Sequence, residues 1–235
     1  MQGRLIVFEG TEGSGKSTQV QRLHQWIGES GALSKLASAS SLIGGAPPAV
    51  PQVVVTREPG GTSLGMNLRQ LLLGNSPTEE GIEDRAELLL YAADRAQHVE
   101  ALLKPYLAQG ALVLCDRYTD STIAYQGYGR GLSLELVSQL NQIATGGLES
   151  DLTFWLDLDV KVGLDRVWQR AKNQPNLLDR MEQDDLAFHQ RVQQGFSTLA
   201  QQYPHRIVRV DATQSEAAVA QQIQAVLRQR FQTWY

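Results

Sequence analysis

The stretch Gly10-Thr11-Glu12-Gly13-Ser14-Gly15-Lys16-Ser17 carries glycine, lysine and a hydroxyl in the spacing G-x-x-x-x-G-K-[ST]. That order suits one chemistry above others, the grip on a phosphate chain. Glycines let the backbone curl around the anion, so that successive N–H groups and a helix N-terminus face it with partial positive charge. The cradle would comprise Gly10, Thr11, Glu12, Gly13, Ser14, Gly15, Lys16, Ser17 and Thr18. Within it Lys16 reaches the β- and γ-phosphates of a nucleotide, and the Ser17 hydroxyl sits on Mg²⁺. A second chemical cluster follows at Asp116-Arg117-Tyr118. A carboxylate there helps to hold Mg²⁺ or its waters, and the arginine beside it can grip a second, acceptor phosphate. Together the two clusters point to a kinase of phosphorylated small molecules.

The elements that must position these groups follow from hydrophobic periodicity. Apolar runs at 4–9, 52–56, 111–115, 152–156 and 206–210 read as buried strands. Helical patterns lie near 16–30, 62–73, 83–109, 133–144, 160–171, 183–202 and 215–231. Strands alternating with helices predict a five-stranded parallel sheet flanked by helices, in an α/β domain occupying residues 1–235. Ligands of such sheets bind at the carboxyl ends of the strands, where Glu9, Gly10, Arg57, Glu58, Asp116, Arg117 and Asp157 fall. Residues 34–51, rich in Ser, Ala, Gly and Pro, read as an extended surface insertion. Residues 172–182 interrupt two helices and contain a proline, which suits a loop closing over a site.

Composition narrows the partners. A net charge of −4 argues against a nucleic-acid surface. The one cysteine, Cys115, lies in an apolar strand, where it reads as a buried thiol; without a disulfide framework the expected setting is a reducing cytoplasm. No apolar run approaches the roughly 18 residues needed to cross a bilayer, and no leader peptide is visible. The guanine box N-K-x-D, the switch D-x-x-G and the LSGGQ signature of transport ATPases are all missing.

The segments FEGTEGSGKSTQ (8–19), TREPGGT (56–62), DRYTDSTIAYQG (116–127) and DATQ (211–214) together resemble the bacterial thymidylate kinases. The resemblance spans nearly the whole chain and fails across 34–51. It implies a P-loop kinase fold with a LID, a homodimer, and ATP- and Mg²⁺-dependent phosphorylation of dTMP to dTDP for dTTP synthesis. Residue by residue, it implies that Arg95 reads thymine O4, an acceptor where cytosine presents an amino group. It matches Tyr91 to the ring stacked on the base, although spacing alone leaves Tyr91 equally a core aromatic. Thr122 and Gln126 match contacts around the base, and Tyr125 matches the ring that crowds the sugar 2′ position. Arg117 and Arg69, with Arg57 nearby, match the cations of the acceptor phosphate; each alone would more often be a surface arginine. Glu58 and Glu12 match acidic positions near the sugar and Mg²⁺, although Glu12 could be solvated. Ser17 and Asp116 are the expected metal-side residues.

The phosphate loop has no arginine among its variable positions, so the resemblance moves the charge-stabilising arginine to the LID. Arg170 is the best match there, with Arg166 and Arg180 as alternatives and surface ion pairing with Asp165, Asp179 or Glu182 as the bland reading. The catalytic set expected on this basis is Lys16, Arg117, Arg170 and Glu12. Two rival readings remain: a kinase for another nucleotide or deoxynucleoside, and a nucleotide-binding module without turnover.

Overall fold

A computed structural model describes residues 2–31, 52–74, 81–172 and 179–234. The 34–51 segment and most of the 172–182 loop lie outside them. Five strands form one parallel sheet: β1 (Arg4–Glu9), β2 (Val53–Arg57), β3 (Leu112–Asp116), β4 (Leu152–Asp157) and β5 (Ile207–Asp211), in the order β2-β3-β1-β4-β5. The central strand β1 and its neighbour β3 are almost continuously apolar and, apart from Arg4 and Asp116, buried, as a sheet covered on both faces requires. Register sets Phe8 beside Asp116 and Arg57 beside Asp116, so the ends of β1, β2 and β3 meet at one edge.

The helices are α1 (Lys16–Ser30), α2 (Ser63–Leu73), α3 (Asp84–His98), α4 (Lys104–Ala108), α5 (Thr119–Thr122), α6 (Leu134–Thr145), α7 (Val160–Lys172), α8 (Leu186–Gln202) and α9 (Glu216–Trp234). On one face Leu23, Ile27, Ile223 and Leu227 pack over Ile6, Phe8 and Phe154; on the other Val99 and Leu103 cover Leu5, Val7 and Val113.

Sequence and structure differ in three places. The single helix expected over 83–109 is broken into α3 and α4 by a π-helical stretch, Val99–Leu103. Residues after Arg117, not foreseen as helical, continue from α5 into a π-helical Ile123–Gly129. Such wide turns are frequent at functional sites, because they re-aim side chains without ending the helix. The helix expected from 183 begins at Leu186, capped by Asp185, whose side chain accepts from Phe188 N; a short 3₁₀ turn, Met181–Gln183, precedes it.

Candidate active site

A cleft of about 740 Å³ opens over the carboxyl ends of β1, β2 and β3. One of its ends is the phosphate loop. Gly10, Gly13 and Gly15 all take positive φ (143°, 69° and 91°), a backbone path that side-chain-bearing residues rarely follow. Gly13 is further restricted from behind: a Cβ there would stand 2.2 Å from the Gly163 carbonyl oxygen of α7, and one on Gly163 would meet Glu12 O at 2.4 Å. The loop is thus seated glycine against glycine on α7, and Gly163 has no signature in the sequence.

Lys16 is buried and donates to the Gly10 and Thr11 carbonyls, each at 2.9 Å. Burial, with Arg117 adding to it, pushes its ammonium down to about 8. Ser17 Oγ donates to Asp116 Oδ2 at 2.7 Å, joining the helix start to the end of β3. Among the described residues no group of three or more His, Cys, Asp or Glu side chains could hold a metal alone. The Ser17–Asp116 pair fits instead a hard cation whose remaining ligands are phosphate oxygens and water.

The middle of the cleft belongs to Arg117. It is the one described non-glycine residue with φ in the left-handed region, at 70°, a strain of the kind that persists where the surroundings dictate it. Its guanidinium donates to Glu12 Oε1 at 2.7 Å, Gly10 O at 3.1 Å and Ser121 Oγ at 3.2 Å, and lies over the Tyr125 ring. Glu12, which could have been solvated, is buried. Its other oxygen accepts from Tyr125 OH at 2.5 Å. Burial works to raise the Glu12 carboxyl, but Arg117 and Lys16 outweigh it and hold the group below its usual range.

Beneath Arg117 sits a residue that the sequence placed at a strand end without a role. Glu9 is wholly buried and accepts from the Tyr118 and Ser121 backbone N–H groups and from Ser121 Oγ. Burial and the neighbouring Asp120 push its carboxyl up to about 7. It pins the turn that aims Arg117 into the cleft.

The far end is a dense polar core around Arg95, which is 2% exposed. Its Nε donates to Glu58 Oε2 at 2.8 Å, its Nη1 to Thr122 Oγ1 at 2.8 Å and Asn141 Oδ1 at 2.6 Å, and its Nη2 to the Tyr118 carbonyl at 3.0 Å. A guanidinium has five N–H donors, so among the described residues this leaves one, on Nη2, where Arg95 lines the cleft. Glu58 is equally committed: its Oε1 accepts from His98 Nδ1 at 2.8 Å, and His98 Nε2 stands 2.7 Å from Thr56 Oγ1. Asn141 and His98 were not marked by the sequence; they reach Arg95 and Glu58 from 46 and 40 residues away in the chain. Tyr91, Arg57 and Arg69 also line the cleft. Arg69 Nη1 donates to Pro59 O, and burial together with Arg57 lowers its guanidinium. Gln126 lines it too, held by a bond from Nε2 to Glu87 Oε1 at 2.7 Å.

The three arginines of the LID flank separate. Arg166 and Arg170 line the cleft: Arg166 Nη1 donates to Gly13 O at 3.2 Å, and Arg170 Nη2 to Glu182 Oε1 at 2.9 Å. Arg180 is tied elsewhere, donating from Nε to Leu72 O and from Nη2 to Glu87 Oε2. As an alternative to Arg170, Arg180 is therefore the weaker one.

Comparison with known proteins shows the family of the chain. A family sequence model described as thymidylate kinase matches residues 47–223. The chain is 58% identical to the thymidylate kinase of Cyanothece sp. over all of this chain and 97% of the relative. It is 56% identical to that of Acaryochloris marina over the whole of both. These alignments include the phosphate loop, which the family match does not reach, and the 34–51 segment, of which that match covers only 47–51. Among solved structures, a thymidylate kinase from Ehrlichia chaffeensis is similar, with 33% identity, a TM-score of 0.65, and coverage of 97% of this chain and 99% of that one.

Proposed function

From the premise that the chain belongs to the thymidylate kinase family and phosphorylates dTMP, we propose that the cleft joins an ATP site at the phosphate loop to a dTMP site at Arg95, with Mg²⁺ at Ser17 and Asp116. The observation that carries this reading is the continuity of the cleft. Lys16 lies at one end, the single spare N–H of Arg95 at the other, and Arg117 between them.

In this reading the γ-phosphoryl passes in line to the 5′-phosphate of dTMP without a covalent enzyme intermediate, and the protein supplies position and charge. Lys16 exchanges the Gly10 and Thr11 carbonyls for phosphate oxygens. Arg117, helped by Arg69 and Arg57, turns from Glu12 to the acceptor phosphate. Tyr91 stacks on the base, Arg95 donates to O4, Thr122 and Gln126 border it, and Tyr125 crowds the 2′ position. Arg170, leaving Glu182, meets the charge that spreads over the transferring group. Mg²⁺, when bound, neutralises phosphate charge between donor and acceptor. No described helix is long and apolar enough to cross a membrane. We further propose that the protein works as a cytoplasmic homodimer without nucleic acid.

A coupled assay of ADP release across the common nucleoside monophosphates tests the reading. Turnover with dTMP and none with dCMP is expected, since an amino group in place of O4 meets the Arg95 donor head-on. Equal rates with both would remove Arg95 from base selection, and ATP binding without ADP release would overturn the kinase reading.

A further inference from the structure

Next to Glu12, but not itself lining the cleft, lies His189 in the first turn of α8. Its ring is 1% exposed, and neither Nδ1 nor Nε2 has a hydrogen-bond partner among the described residues. Nδ1 stands 3.8 Å from Glu12 Oε2, too far for a hydrogen bond but within a small tilt of one. The Phe188 ring packs edge-on at 5.3 Å. A buried imidazole with nothing to bond to works against folding, so its place next to a carboxylate of the cleft calls for a reason.

The charged groups around it supply one. Glu12 presents the carboxylate from the phosphate loop, Tyr125 donates to it from the π-helical turn, and Arg117 and Lys16 hold it ionised. Asp179 and Glu182, from the segment before α8, add negative charge near it. When Arg117 turns to the acceptor phosphate, Glu12 loses its strongest partner inside a buried site. We propose that His189 is the positioning residue that compensates for this loss, its imidazole N–H donating to Glu12 Oε2, the oxygen that also accepts from Tyr125, as Arg117 leaves Oε1, so that Glu12 stays beside Tyr125 and facing the acceptor. The inference rests on the reading of Arg117 as the acceptor-phosphate cation.

Two measurements test it. In steady-state kinetics, His189→Phe, which keeps ring shape without a donor, should raise KM for dTMP on the order of tenfold and leave KM for ATP unchanged. His189→Asn, which keeps a donor near the Nδ1 position, should recover most of that loss. An unchanged KM for dTMP, equal rises for both substrates, or an Asn variant no better than Phe would each overturn the proposal. The wild-type protein gives a second measurement that does not depend on the variants folding: the ring ¹⁵N resonances of His189 should shift on adding dTMP, and no shift would sink the idea. Arg117→Ala separates this inference from its premise. If that variant keeps normal dTMP affinity, the Arg117 reading fails and the proposal with it. If dTMP affinity is lost but the wild-type His189 ring never responds, the Arg117 reading stands and His189 has no part in it.

Discussion

The two ends of the cleft are held in opposite ways. At the acceptor end, Arg95, Glu58, His98, Thr122 and Asn141 are all nearly or wholly buried and tied to one another at 2.6–2.8 Å. At the donor end, Lys16 is bonded to its own loop's carbonyls and Arg170 is 58% exposed on a single carboxylate. A base must be told from its near relatives, and a rigid donor with one free N–H does that without moving. Charge that spreads during transfer must be met only then, and cations resting on easily surrendered partners can move to it. On the proposed assignment of the two ends, selection is built into the fold, while neutralisation waits for the substrates.

The largest effect should come from the donor end. Lys16→Ala is expected to lower kcat by at least on the order of 10³-fold with the fold intact, because the lysine serves phosphate charge and contributes little packing. Near-normal turnover in a folded variant would end the kinase reading.

The acceptor end should respond in stability and in dTMP binding together. Glu58→Gln leaves Arg95 buried without its counter-charge, a kind of loss that costs roughly 3–5 kcal/mol. Chemical denaturation should register that cost, and KM for dTMP should rise with little change in KM for ATP. A loss of stability alone would make the network a piece of the core instead of a device for base selection.

The smallest effect is a pH dependence confined to the donor end. The Lys16 ammonium, held down to about 8 without nucleotide, must be charged to meet phosphate. Affinity for ATP should therefore weaken as pH rises above 8, by at most about tenfold per unit, with a proton taken up on binding. The stability of the nucleotide-free protein runs the other way. Between about 8 and the ordinary lysine value the unfolded chain binds more protons, so stability rises with pH across that window. Calorimetric titrations in buffers of different ionisation enthalpy would detect the proton.

How legible each end was in the sequence follows from the same contrast. The phosphate loop is local: its glycines, Lys16 and Ser17 sit within eight residues, and the strand and helix around it read correctly to the residue. Apolar runs gave the other four strands within one residue, because buried parallel strands leave little room for polar residues. The acceptor end was legible only as a resemblance. Arg95 and Thr122 could be named, but Asn141 and His98, which fix them, carry no local pattern and meet them through topology alone. Gly163 and His189 were hidden for the same reason: each lies inside a helical pattern, 160–171 or 183–202, with no motif around it. The π-helical turns were missed because periodicity assumes 3.6 residues per turn.

The most direct test of charge supplied from the LID flank is the rate of transfer in Arg170→Ala, measured in a single turnover at saturating ATP and dTMP beside Arg166→Ala and Arg180→Ala. The prediction is a fall on the order of 10³-fold for Arg170→Ala, with less change in ATP affinity and only partial recovery in Arg170→Lys, since an ammonium lacks the planar two-pronged contact. Arg180→Ala, whose partners are Leu72 and Glu87, should transfer at close to the wild-type rate. A collapse in Arg166→Ala instead would move the role by one helical turn and leave the contrast between the two ends intact. Wild-type transfer rates in both Arg166→Ala and Arg170→Ala would contradict the claim that the LID flank supplies the missing charge.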